Sequence, residues 1–202
     1  IKCRRAGLKP DAVVLVATVR ALKHHGGAAK ADLGREDLAA LERGLPNLLQ
    51  HVDNIKNVFG LPCVVAVNAF PTDTAAELQL VEDKCRELGV RVALSEVWAK
   101  GGEGGRALAE EVVRLCGQPS DFRYSYDLDG SIEDKLEAIC RRVYRADGVA
   151  LTPAAKKQAQ RLTELGFGGL PICMAKTQYS FSDDQTLLGA PEGFTVTVRN
   201  IK

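Results

Sequence analysis

The run DAVVLVATV, residues 11–19, decides the fold class. Apolar side chains follow one another without the polar alternation of a strand wet on one face, so the run predicts a parallel-sheet strand covered on both faces. A Gly26–Gly27 break follows. Residues 36–58 then carry a helical pattern, with Leu38, Leu41, Leu45, Leu48, Leu49, Val52 and Ile55 spaced at threes and fours. Pro46 falls inside that pattern and predicts a division into two helices. Residues 61–68 read as a second buried strand. Thr72, Asp73 and Thr74 offer caps for a helix running through Glu87 to the stop at Gly89, with Asp73 the simplest cap. Residues 90–97 form a third strand, closed by Trp98, and after a glycine-rich loop residues 106–116 are again helical. Short apolar strands alternating with helices predict an α/β fold: a mostly parallel βαβ sheet flanked by helices.

Residues 119–129, PSDFRYSYDLD, are polar and aromatic and mark a boundary. They divide the chain into a βαβ lobe, 1–118, and a smaller second α/β lobe, 119–202. In the second lobe Ser131 with Asp134 opens a helix over 131–143, and Pro153 and Gly166 bracket another. Residues 170–175 predict a short buried strand and 194–198 an alternating one. The chain starts without Met and stops just after that last segment, as if cut from a longer protein.

Composition excludes several partners. Apolar residues make up 46% of the 202, enough for a core, and the net charge is +1 with no dense Lys/Arg cluster, which argues against nucleic acid and an anionic membrane surface. The longest apolar run, residues 12–17, is too short to span a bilayer, and no leader pattern opens the chain. A cytoplasmic location is expected. Cys3, Cys63, Cys85, Cys116, Cys140 and Cys173 form no CxxC pair and share no metal spacing with His24, His25 and His51. Cys63 and Cys173 in strands, and Cys85, Cys116 and Cys140 on helices, read as buried reduced thiols, and no metal site is expected.

Ligands of open α/β sheets gather at the carboxyl ends of strands. Phe70, in VVAVNAFPTDT (residues 64–74), and Trp98, in WAKGGEGG (98–105), both follow strands there, so a facing aromatic pair is predicted. Small neighbours let a flat ligand approach Trp98. The glycine loop precedes a helix and could present amides to an anion, although a tight strand-to-helix turn is the plainer reading. Neither a Walker A motif nor a dinucleotide fingerprint is present, and Asn68 with Asp73 has the wrong spacing for guanine recognition.

VVLVATVRALKHHGG, GLPCVVAVNAFPTDTAAEL, WAKGGEGG, ADGVALTPAA and LGFGGLPICMAKTQYSFSDD, in this order, resemble formate–tetrahydrofolate ligase across essentially the whole chain. The resemblance implies an ATP-dependent ligase in which formate attacks the γ-phosphate and the resulting formyl phosphate passes its formyl group to N10 of tetrahydrofolate. It is similar to the middle and later portion of a larger P-loop-type enzyme. The amino-terminal part with the Walker lysine would lie outside these residues, and the segment alone would be inactive, with no catalytic residue of its own. The family's pterin clamp falls on Phe70 and Trp98, with Leu94 as an apolar neighbour. Asn68, Asp73, Lys100, Gly101 and Gly102 would rim the pocket or lie near the nucleotide, with Lys176 and Thr177 matched by motif alone. ATP with Mg2+, tetrahydrofolate, formate, a monovalent cation and a homotetrameric parent are further implications. A free-standing folate- or nucleotide-binding module without catalysis is the alternative, and an assembly segment a third.

Two positions depart from the family pattern. Gly130 stands where a larger apolar residue is usual, and is expected to loosen a helix start. Arg145 stands where Gly is usual, and is disfavoured if that position needs a positive φ.

Overall fold

A computed structural model describes residues 1–175 and 180–202 and places the chain in two units. Pro10–Phe122 with Leu188–Ala190 form one. Ile1–Lys9, Arg123–Leu187 and Pro191–Lys202 form the other, which begins with a short helix, α1 (Lys2–Ala6).

In the Pro10–Phe122 unit the apolar runs become three parallel strands, β1 (Val13–Ala17), β2 (Cys63–Asn68) and β3 (Arg91–Ser95), in the order β1-β2-β3. The register sets Val14 opposite Val64 and Val64 opposite Arg91. Two helices join β1 to β2, α2 (Val19–His25) and α3 (Leu38–Asp53), and α4 (Ala75–Glu87) joins β2 to β3. All three bury residues against one face of the sheet: Leu22, Leu41, Leu45, Leu48, Val52, Val81 and Cys85 pack with Val65 and Val67. Burying each such side chain contributes about 1.5–3 kcal/mol, so this face carries the core. After β3 come a one-turn helix, α5 (Val97–Lys100), and α6 (Arg106–Cys116), whose Leu115 packs with Val64 and Ala93 on the opposite face.

Two expectations are corrected here. β1 is not covered on both faces: it is an edge strand, and Val14 and Val16 are 40% and 64% exposed. The side chains packed with α6 come from β2 and β3 and from Ala12, ahead of β1, which leaves Val14 and Val16 uncovered. Nor does Pro46 divide the helix. α3 runs unbroken past it and continues into a π-helical turn, Asn54–Val58. Leu41 and Leu45 before the proline and Leu48 and Val52 after it enter the same core, and packing on both sides outweighs one missing hydrogen bond. α2 meets α3 at two glycines. A Cβ on Gly26 would stand 1.7 Å from the Ala40 carbonyl oxygen, and one on Gly44 1.8 Å from that of Leu22.

The other unit holds α7 (Ile132–Arg142), β4 (Gly148–Leu151), α8 (Pro153–Glu164) and β5 (Thr195–Val198), with β4 and β5 parallel. β4, four residues long, is too short to show a period in the sequence. Residues 170–175 make no strand, contrary to expectation. The Tyr126 hydroxyl takes the place of a neighbouring backbone, accepting from the Ile172 N–H at 2.9 Å and donating to its carbonyl at 3.2 Å. Gly130 does not loosen α7, because the Ser131–Asp134 capping box forms beside it. Arg145 has φ 62°, a left-handed position occupied by a non-glycine residue, as its place in the pattern suggested.

The cysteines divide evenly. Cys63, Cys85 and Cys140 are buried, and burial pushes the Cys85 thiol up to about 12 and that of Cys140 up to about 11. Cys3, Cys116 and Cys173 are exposed. Cys173 loses its expected cover with the strand that does not form, and Cys116 lies at the exposed end of α6.

Candidate functional site

The carboxyl ends of β1, β2 and β3 lie side by side, so the segments leaving them share one edge of the sheet. The middle one is wired most heavily. Asn68 ends β2, half-buried, and the Ala69 N–H extends the ladder by one bond to the Ser95 carbonyl, 3.1 Å. Phe70 and Asp73 then close a turn reciprocally: the Asp73 N–H donates to the Phe70 carbonyl, and the Phe70 N–H to the Asp73 carboxylate, each at 2.9 Å. Asp73 is therefore not the helix cap. Thr74 caps α4, its hydroxyl accepting from the Glu77 N–H while the Glu77 carboxylate accepts from the Thr74 N–H. The Asp73 carboxylate is spent on the turn, and its second oxygen is buried without a hydrogen-bond partner.

Glu77 reaches further than a cap. It is fully buried, and its other oxygen accepts from Lys23 Nζ at 2.8 Å and from the Asp37 N–H at 3.1 Å. Lys23, equally buried on α2, also donates to the Arg35 carbonyl at 2.6 Å. Desolvation works to raise the Glu77 pKa. The hydrogen bonds from Lys23, Thr74 and Asp37, together with the Lys23 charge, outweigh it and hold the carboxyl below its ordinary range.

The segment after β3 is built differently. Trp98 stands on α5, a helix of four residues, and not at the close of a strand as the sequence suggested. It is 64% exposed, and its indole N–H donates to the Ala69 carbonyl at 2.9 Å. That bond joins the Trp98 segment to the residue preceding Phe70. Leu94 on β3 is 39% exposed, an apolar surface near the strand's carboxyl end. Lys100 pairs with Glu96 at 2.6 Å, and Gly101 and Gly102 are exposed in the 3₁₀ turn that follows. Gly104 is required where it stands: a Cβ there would lie 2.5 Å from the Glu96 carbonyl oxygen.

Phe70 and Trp98 are not stacked on one another: among the described residues the ring pair in contact is His24–His25. The Phe70 ring instead carries the guanidinium of Arg20, 4.4 Å from its centroid, and Arg20 also donates to the Thr72 hydroxyl at 3.0 Å. Sequence reading missed Arg20, Lys23 and Glu77, and took Thr72 only as a possible cap. Only the place of Arg20, just past the end of β1, pointed to it. Lys176 and Thr177 lie outside the described residues.

Among the described residues no group of three or more His, Cys, Asp or Glu side chains is placed to hold a metal ion. Nor is any helix among them long and apolar enough to cross a membrane. The arrangement offers an exposed indole, a backed phenyl ring, an apolar leucine and a cation along one sheet edge, which suits a flat ligand with polar margins. Compared with known families, residues 1–202 match the model described as formate–tetrahydrofolate ligase.

Proposed function

The chain belongs to the formate–tetrahydrofolate ligase family, and from that premise we propose that its part in the reaction is to hold the pterin ring of tetrahydrofolate between Phe70 and Trp98, with Leu94 at the side. The family's enzymes are ligases of small molecules that use tetrahydrofolate and ATP. The observation that carries the reading is the indole bond to the Ala69 carbonyl. It ties Trp98 to the residue next to Phe70 while the two rings are not stacked on each other, and in this reading the pterin lies between them.

In this reading formate attacks the γ-phosphorus of ATP, releasing ADP and giving formyl phosphate. N10 of tetrahydrofolate then attacks the formyl carbon, inorganic phosphate leaves and N10 loses its proton. The residues here orient the acceptor: stacking sets the plane of the pterin, which fixes where N10 meets the formyl carbon. Asn68 and Asp73 rim the pocket on the β2 side, and Lys100, Gly101 and Gly102 on the β3 side. No residue of this chain is assigned to bond making or to the triphosphate, and the segment alone is expected not to turn over. A cytoplasmic location and a homotetrameric assembly fit the same reading.

Trp98 is the one tryptophan of the sequence, so its fluorescence reports on the site directly. Titration with tetrahydrofolate under anaerobic conditions is expected to give saturable quenching after inner-filter correction. Phe70→Ala should weaken the affinity roughly tenfold, within the ~1–3 kcal/mol that a base-sized ring gains on an aromatic side chain. A folded chain that shows no saturable change, or an unchanged affinity in Phe70→Ala, would overturn the reading.

A further inference from the structure

We propose that Arg20 is a positioning residue of this site, holding the Phe70 ring so that the face turned away from Arg20 is the one offered to the pterin; the proposal rests on the stacking reading above. Thr18 at the end of β1 caps α2, its hydroxyl accepting from the Ala21 N–H at 3.2 Å, so Arg20 stands in the first turn of that helix, at the same sheet edge as the loop after β2. Its guanidinium lies 4.4 Å from the Phe70 centroid and is anchored through Nη2 to the Thr72 hydroxyl, two residues along the same turn. Among the described residues no carboxylate pairs with it, and its Nε is buried without a hydrogen-bond partner.

A buried donor with no acceptor is a cost, and an ordinary surface arginine would turn its guanidinium into water and avoid it. Here the side chain stays folded over a ring. The attraction of a cation for the π-face offsets part of the cost and fixes the plane of the phenyl group. One turn further along α2, Lys23 is locked to Glu77 at the head of α4. That bond fixes α2 relative to the end of the Phe70 turn, and Arg20 spans the remaining gap to the ring itself. With one face covered by the guanidinium, a planar ligand has the opposite face.

The test is a double-mutant cycle on the full chain, read by Trp98 quenching with tetrahydrofolate, with thermal melts of every variant. Arg20→Met keeps a long apolar stem and removes the cation. It is expected to weaken binding about three- to tenfold, the effect of losing one cation–π contact. Arg20→Lys, which keeps the charge and loses the flat plate, should fall between Arg20→Met and the parent and serves as the second variant if Arg20→Met does not fold. In the Phe70→Ala background either substitution should change the affinity less than twofold, because the ring through which Arg20 acts is gone.

An equal loss in both backgrounds would overturn the proposal by showing that Arg20 acts independently of the ring, as a merely structural residue or a direct ligand contact would. Tighter binding on losing Arg20 would overturn it by showing that the guanidinium occupies the face the ligand needs. If Phe70→Ala weakens binding while Arg20→Met and Arg20→Lys do not, this proposal fails and the stacking reading stands. If Phe70→Ala itself has no effect, or the parent chain gives no saturable quenching, the stacking reading fails and takes this proposal with it.

Discussion

The two rings proposed to hold the pterin are carried by unlike supports. Phe70 sits in a turn closed by Asp73, followed by a capping box whose glutamate is buried against Lys23, and its own face is backed by Arg20. Trp98 rides on a single helical turn ahead of glycines, largely exposed, with its indole bonded to Ala69. One jaw is half-buried on supports that reach the core, and the other is laid on the surface. A damaged fold should therefore be the price of altering the supports of Phe70, whereas Trp98 should be replaceable with little change in stability.

The largest expected effect comes from breaking the buried support. Lys23→Met leaves the Glu77 carboxylate in the interior without its counter-charge and should destabilise the chain by ~3–5 kcal/mol in urea unfolding. A loss under 1 kcal/mol would mean that the Phe70 loop does not depend on the pair. The same support predicts a pH dependence. Because the folded-state pKa of Glu77 lies below its ordinary 4.5, its contribution is fully present above that value and is lost as pH falls through the folded pKa. The stability advantage of the parent over Glu77→Gln should then be flat from pH 7 to about 5 and shrink only at lower pH. An advantage that grew on acidification would reverse the sign and refute the assignment.

Thr74→Ala removes the cap of α4 and should cost ~1 kcal/mol by urea unfolding, placing the helix start behind Phe70 between the buried pair and the surface. Arg145→Gly is the control in the other unit. Relieving a left-handed non-glycine position should add ~0.5–1 kcal/mol to stability without weakening tetrahydrofolate quenching. Trp98→Phe, smallest of all, keeps a ring and loses the bond to Ala69, and should lower stability by about 0.5 kcal/mol. A thermal-melt loss as large as that of Lys23→Met would end the contrast between the jaws.

Much of the fold was legible because it rests on runs of side chains. The apolar runs of β1 and β2 and the spacing of the leucines of α3 stand in the sequence, and the capping box of α7 is written in Ser131 and Asp134, three residues apart. What was misread depends on distant partners. The uncovered faces of Val14 and Val16 depend on where α6 lies, and the missing strand at 170–175 on Tyr126 supplying the hydrogen bonds a neighbour would have made. In the site, the positions of Phe70 and Trp98 past strand ends could be read. The cation on Phe70 could not, since Arg20 lies 50 positions upstream and nothing in its own neighbourhood announces an aromatic partner.

The crossing of α2 over α3 limits how this sequence can vary. Gly26 faces the backbone of α3 and Gly44 that of α2, each with room for a hydrogen and no more. Neither can be exchanged for alanine whatever stands at the other, because each added methyl group meets a backbone carbonyl of the facing helix and drives the helices apart by itself. A library of variants selected for folding should hold both glycines together, while Gly102, whose missing side chain would meet nothing within 4 Å, drifts freely. The spacing of α2 from its neighbour, and so the reach of the arginine it carries, is inherited as one two-residue unit.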